Sequence, residues 1–184
     1  MKLLNRHAAP PQGEWLNGPN GLVRTAQGWV LFAQHRADAP GYAASNWVRF
    51  TSADLLDWRC DGAVIAHEGD AQAYSGSVVA DDGGLDAFLT IYANGDEHQQ
   101  RRRSVDAELT WSPAPLSLPA SARGANVRDP FVVGSDGDWL MLLACPCPWT
   151  GWETAPPSML KVFRSADKTV WREPAASGPG TRRG

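Results

Sequence analysis

The chain is 184 residues long, 43% hydrophobic and 20% charged, with a formal net charge of −3. Those values fit one ordinary globular domain, and the weakly acidic balance gives no electrostatic ground for a nucleic-acid partner. No apolar run reaches the ~20 residues of a membrane-spanning helix, no apolar signal segment opens the chain, and Cys60, Cys145 and Cys147 make no disulfide framework, so a reduced, cytoplasmic setting is expected.

Predicted strands follow one another in three groups of four. The first group opens with the polar turn "EWLNGPNG" before the apolar "NGLVRT" and continues through "GWVLFAQH" and "NWVRFTS" to "WRCDGAVI". The second runs "SGSVVAD", "DAFLTIYAN", "QQRRRSV" and "WSPAPLSL", and the third "DPFVVGS", "DWLMLLACP", "MLKVFRS" and "WREPAAS". Short runs rich in Val, Phe, Trp and Leu and split by turn residues read as strands, and none has helical spacing over a useful length. A marker stands before each fourth run: Ser52 to Trp58, Ser104 to Trp111 and Ser165 to Trp171, all beginning Ser-x-Asp. Asp54, Asp106 and Asp167 lie 52 and 61 residues apart, near the ~50-residue period of some propeller repeats. Ser and Asp side chains there are expected to bond backbone amides one or two residues on and so fix a tight connection.

These features give an all-β fold, a β-propeller of about three four-stranded blades. Blade 1 is expected over about 15–70, blade 2 over about 71–125 and blade 3 over about 126–176, with 177–184 a ragged tail. Trp29, Trp58, Trp111, Trp139 and Trp171 are expected in the core or between blades, and Arg101 to Arg103 on a solvated strand face. Three blades fall short of the ~4–8 of closed propellers, which leaves an open edge through which the chain would self-associate. Scattered histidines (His7, His35, His67, His98) and the Cys-Pro-Cys spacing point to no metal site, and no cofactor is expected.

Polar motifs open the innermost strand of each blade: "WLNGPNG", "AYSGSVV" and "NVRDPFVV". In a propeller those starts converge at one mouth of the channel, joined by Gln34 at the end of the second run and Trp47 after the following loop, which makes a plausible ligand site.

The ordered series "EWLNGPNGLV", "VLFAQH", "NWVRFTSADLLDW", "YSGSVV" and "VRDP" resembles the motif set of glycoside hydrolase family 32, over nearly the whole chain. The resemblance implies a five-bladed propeller and retaining cleavage of β-fructosides such as sucrose, sucrose 6-phosphate or fructans. Retaining hydrolysis uses two carboxyl groups about 5–5.5 Å apart, a nucleophile and an acid/base. The family nucleophile is the aspartate of Trp-x-Asn-Asp-Pro-Asn-Gly, where this chain has Gly18, and the family's Glu-Cys acid/base motif does not occur up to Gly184. By resemblance Asp129 stabilises the transition state, while Asn17, Gln34, Trp47, Tyr74, Ser75 and Arg128 match sugar-contacting positions. Of two glutamates considered as substitute acids, Glu153 reads as a solvated loop charge, and Glu173, just past the third Trp marker on an outer strand, is a poor candidate. The resemblance thus implies a glycosidase whose catalysis is impaired in this chain and whose partner is a small-molecule or oligosaccharide β-fructoside. The alternatives are a non-catalytic fructoside-binding or assembly module, and another five-bladed glycosidase family.

Overall fold

The computed structural model describes residues 7–11, 13–37, 44–66, 68–81, 83–106, 110–135, 137–146 and 158–174. Cys147 and Glu153, the blade-3 loop around them and the 177–184 tail lie outside the described residues.

The first sheet is antiparallel and ordered β1-β2-β3-β4, with β1 Trp15–Thr25, β2 Gly28–Arg36, β3 Asn46–Ser52 and β4 Arg59–Ile65. The second, β5-β6-β7-β8, is built the same way from Gln72–Asp81, Gly84–Ala93, Asp96–Ser104 and Ser112–Ala114. The third is ordered β11-β10-β9, from Arg128–Ser135 (β9), Asp138–Pro146 (β10) and Ser158–Ser165 (β11). Of the expected fourth strand of this group, the described residues form one bridge to β11, in which Arg164 and Arg172 exchange backbone bonds of 2.8 and 2.9 Å. Pro174, two residues on, has no N–H to extend that ladder. The strands β1, β5 and β9 that open the three sheets lie side by side.

Side-chain alternation explains why β2 and β6 are apolar almost throughout. Val30 and Phe32 of β2 face the second sheet, while Leu31 and Ala33 pack on the opposite face with Phe50 and Trp58. On β6, Ala87, Leu89 and Ile91 close the core shared with the first sheet, and Phe88 enters the core shared with the third. Each strand is covered on both faces, so a strict polar–apolar alternation is lost. Burying one such Phe contributes roughly 1.5–3 kcal/mol.

The repeated marker forms the expected turn. Leu55 N–H donates to Ser52 Oγ at 2.9 Å, and Leu56 and Asp57 N–H donate to Asp54 Oδ1, each at 2.9 Å. Thr169 and Val170 repeat this on Asp167 at 2.8 and 3.0 Å, and Thr110 N–H reaches Asp106 at 3.0 Å. These bonds lower the carboxyl pKa of all three aspartates, chiefly through the Asp57 amide at Asp54, the Thr110 hydroxyl at Asp106 and the Val170 amide at Asp167. The marker tryptophan then reaches back to the preceding sheet. Trp111 meets Phe32 edge-on at 5.5 Å, and Trp171 meets Phe88 edge-on at 5.8 Å. Trp29, Trp58 and Trp139 are only half-buried, with Trp29 beneath the Arg24 guanidinium and Trp139 beneath the Lys168 ammonium.

Two expectations are corrected. The "EWLNGPNG" stretch, from Trp15 on, is part of β1, a strand whose pairing with β2 slips between Asn17 and Pro19 and again between Pro19 and Gly21. Gly18 and Asn20 are the extra residues of these irregularities, and β1 is an edge strand, where Pro19 is tolerated. Arg101 to Arg103 do not form a solvated face. Arg101 and Arg103 pair with the fully buried Asp86 at 2.8 and 2.7 Å, and Arg102 pairs with Glu68.

Two glycines permit the close approach of the inner strands. A Cβ on Gly21 would stand 2.8 Å from the Val78 Cβ, and one on Gly76 only 1.9 Å from the Phe88 carbonyl oxygen. Gly76 sits at the irregularity that separates the Ala73 and Gly76 pairings of β5 with β6. Gly76→Ala is therefore expected to cost about 3 kcal/mol or more, because the clash is with backbone that cannot rotate away. A urea titration followed by tryptophan fluorescence reads this as a lower midpoint.

Candidate functional site

A cavity of about 330 Å³ opens where β1, β5 and β9 begin, lined by Asn17, Gln34, Tyr74, Ser75, Arg128 and Asp129. Six of the residues singled out in the sequence thus meet in one place, although they come from four strands of three sheets.

The first two sheets are stitched together at Gln34. Its Oε1 accepts from Asn17 Nδ2 at 3.3 Å and from Ser75 Oγ at 3.1 Å, and its Nε2 donates to the Ala73 carbonyl at 3.3 Å. Gln34 is itself buried. With its amide oxygen engaged twice, it holds Asn17 and Ser75 in place more than it offers acceptors to a ligand. Tyr74 stacks on Tyr92 with ring centroids 5.3 Å apart and planes 6° from parallel.

Trp47 does not reach the cavity. Its side chain is 0% exposed and packs with Phe32 and Ile65, while its Nε1–H donates to the Tyr74 carbonyl at 2.8 Å. A ring without exposed surface cannot stack on a sugar, so the expected contact role is corrected to support beneath Tyr74. Among the described residues the tyrosine is the aromatic group at the cavity wall.

The Arg128-Asp129 corner is pinned by the neighbouring sheet. Asp129 has φ +60°, a left-handed conformation that costs on the order of 1–3 kcal/mol for most residues and less for Asp. Its N–H donates to Thr90 Oγ1 at 3.0 Å, and Thr90 is fixed in turn by Gln99 Oε1 at 2.7 Å. Gln99 closes the chain by donating to the Val127 carbonyl at 2.7 Å. One residue further on, Ser77 Oγ donates to the Pro130 carbonyl at 2.8 Å and accepts from Val132 N–H at 2.9 Å. Asp86, Phe88 and Thr90 lie on the same face of β6, so one strand face carries an ion cluster, an apolar core and a site support in succession.

Arg128 and Asp129 are each about half exposed, with Arg128 Nε 3.8 Å from Asp129 Oδ2. Burial raises the Asp129 carboxyl pKa above its ordinary 3.8, and the adjacent guanidinium partly opposes this. No hydrogen bond reaches this carboxylate among the described residues, which leaves its acceptor sites facing the cavity. Asp129 is also the only carboxylate lining it among the described residues.

Gly18 lies beside Asn17 in the irregular stretch of β1. A Cβ built there meets nothing within 4 Å, and its φ is not in the left-handed range, so an L side chain fits without strain. Elsewhere, Cys145 is buried and its thiol pKa is pushed up by that burial, as befits packing rather than chemistry. Glu173 is exposed and does not line the cavity.

Residues the motif series did not single out complete the surroundings. Thr90, Gln99 and Tyr92 support the lining groups, and Glu97 pairs with Arg128 Nη1 at 3.3 Å. None carries a local signal, since each reads as an ordinary strand residue.

Comparison with known proteins agrees with the architecture. Residues 7–181 match the family model for the glycosyl hydrolases family 32 N-terminal domain. The sucrose-6-phosphate hydrolase of Klebsiella pneumoniae is 30% identical over 176 residues, covering 90% of this chain and 36% of that protein. The solved sucrose-6-phosphate hydrolase of Lactobacillus gasseri superposes with a TM-score of 0.71 at 26% identity, over 86% of this chain and 33% of that one. The Bombyx mori beta-fructofuranosidase, solved as a mutant in complex with sucrose, shares the fold with a TM-score of 0.77 at 21% identity, over 95% and 37% of the two chains. The chain spans roughly a third or less of the length of the curated relatives it matches. An all-β fold of two four-stranded and one three-stranded antiparallel sheets, the motif series in order and a match to the family model over 7–181 make this chain a member of glycosyl hydrolase family 32.

Proposed function

We propose that the cavity holds the fructosyl unit of a β-fructoside and that this chain does not cleave it by the family's double displacement. The convergence of Asn17, Tyr74, Ser75, Arg128 and Asp129 on one polar cavity carries the reading. A furanose offers several hydroxyls and one less polar ring face. An amide, a hydroxyl, a guanidinium and an open carboxylate can pair with the former, and the Tyr74 ring can meet the latter. The absence of cleavage rests on Gly18, which has no carboxylate to attack the anomeric carbon where the family resemblance puts the nucleophile. The three sheets are read as part of the five-bladed ring that the family implies. The exposed apolar residues Phe131, Val133, Leu160 and Val162, all on one face of the third sheet, support that reading as a face suited to a further sheet.

Calorimetric titration with fructose and with sucrose, run beside a glucose-release assay, tests both halves. Saturable binding without release is expected, and Asp129→Ala should weaken binding at least about tenfold, since charge-assisted bonds to hydroxyls are lost. No binding at millimolar sugar to folded protein overturns the site assignment, and turnover abolished by Asp129→Ala overturns the loss of catalysis.

The raised Asp129 pKa gives the reading a pH signature. The ionised carboxylate is the better acceptor, so affinity is expected to be full at neutral pH and to fall as acid protonates it. Because burial raises this pKa, the fall should be centred above 3.8 rather than at it. Affinity measured in steps from pH 7 to pH 4, with folding checked at each, locates the midpoint.

A further inference from the structure

We propose that Glu97, at the start of β7, is a positioning residue that holds the Arg128 guanidinium away from Asp129 and so keeps the Asp129 carboxylate open to a ligand. The inference rests on the reading of the cavity as a sugar site, but its geometry stands without a ligand.

The Glu97 side chain is 8% exposed. A carboxylate that deep is expensive unless a cation offsets it. Its cation is Arg128, whose Nη1 lies 3.3 Å from Oε1, while Oε2 is buried with no hydrogen-bond partner in the structure. Glu97 has no other ion pair among the described residues, so the pull on the guanidinium is strong and one-sided. Arg128 stands between two carboxylates of different character: the buried one it touches, and the half-exposed Asp129 at 3.8 Å.

Those two contacts compete. A guanidinium released from Glu97 would turn fully onto Asp129, since a bidentate Arg–carboxylate pair is among the strongest side-chain arrangements. Such a pair would occupy the acceptor oxygens that hydroxyls need, and it would lower the Asp129 pKa. The observed geometry avoids this outcome, as no hydrogen bond links the two side chains and burial prevails over Arg128 in setting the Asp129 pKa. The register supports a fixed origin for the restraint. Glu97 pairs across the ladder with Tyr92, the ring that backs Tyr74, and lies two residues from Gln99, which fixes Thr90 and the Val127 carbonyl. One stretch of β7 thus supports the cavity's aromatic wall, its strained corner and its cation.

The test is the titration of the Asp129 carboxyl carbon, followed by NMR in the protein without ligand, in a double-mutant cycle of Glu97→Gln and Arg128→Gln. Glu97→Gln is expected to lower the Asp129 pKa by about one unit or more, as Arg128 transfers to it. In the Arg128→Gln background the same change should move Asp129 by less than half as much, because only the direct loss of the Glu97 charge remains. Equal shifts in the two backgrounds, or none in either, overturn the proposal. If Glu97→Gln does not fold, Glu97→Asp takes its place in the cycle, keeping the charge but shortening its reach by one methylene. A second measurement is affinity for fructose, expected to fall about three- to tenfold in Glu97→Gln with the melting temperature little changed. If the unaltered chain binds no fructoside, the sugar-site reading fails while the titration still decides the role of Glu97.

Discussion

Gly18→Asp is expected to give this chain slow cleavage of a β-fructoside with an activated leaving group, at least about a thousandfold above the unaltered protein, while sucrose stays intact. The size follows from the role: removing the nucleophile of a covalent mechanism costs several orders of magnitude in other hydrolases, and restoring it recovers a share of them. Space is not the obstacle, since nothing lies within 4 Å of a Cβ at this position and its backbone suits any L residue. The new carboxylate would join Asp129, the only carboxylate among the described residues that line the cavity. Two carboxylates supply attack and charge stabilisation, but neither is placed as the acid that protonates a sugar leaving group. A nitrophenolate needs no proton to leave, so the assay is its release from an aryl β-fructofuranoside, with mass spectrometry to catch the fructosyl-enzyme ester. Asp129→Ala added to Gly18→Asp should remove the gain. Absence of both release and ester in a folded variant would mean that position 18 does not face the anomeric carbon.

Asp86→Ala is expected to be the most damaging single change to stability, costing about 3–5 kcal/mol, as when one member of a buried ion pair is removed. For a chain of this size that lowers the melting temperature by roughly 10 °C. Asp86 is 0% exposed and receives three cations: Arg101 Nε at 2.8 Å, Arg103 Nη1 at 2.7 Å and Lys168 Nζ at 2.5 Å. Arg103 and Lys168 also pair with Asp81, and Arg101 reaches Thr169 Oγ1 at 3.1 Å. The cluster therefore ties the second sheet to the turn that follows β11. Without Asp86, Arg103 and Lys168 would share Asp81, and the buried Arg101 would have no carboxylate partner among the described residues. Asp81 cannot compensate, being already held far below its ordinary 3.8 by Arg103 first and Lys168 after it, against the cost of burial. Because that pKa is depressed, the stability contributed by Asp81 is present above pH 3.8 and is lost only as the pH falls well below it. Thermal melts at neutral pH, with Asp86→Asn beside Asp86→Ala, measure the effect, and a shift of only one or two degrees would show the cluster to be marginal.

Legibility in the sequence followed the range of the interaction. The Ser-x-Asp turns were readable because donor and acceptor lie within four residues, and all three form. The cavity residues were readable because each motif opens an inner strand, and topology brings those openings together. Trp47 was not readable. Which way a strand residue faces depends on register, and the β3–β4 pairing slips between Trp47 and Val48. Arg101 to Arg103 failed for a different reason. Their partners Asp86 and Asp81 lie on two other strands, β6 and β5, and β6 is buried on both faces, so nothing beside the three arginines marks them as enclosed. Glu97 gave no signal because a charge near a hairpin turn is the commonest solvated feature of a sheet.

The cavity owes its lining to three sheets, each contributing the opening residues of a strand or the end of its neighbour. A molecule seated there acts as a clamp on their mutual placement, and its binding free energy becomes docking free energy. At a hundred times its dissociation constant it adds about 2.7 kcal/mol, on the scale of one well-buried aromatic side chain. The linkage runs both ways. A change deep between two sheets, touching no lining residue, loosens the grip on the sugar by shifting the openings apart, so affinity here reports on the integrity of the whole wedge.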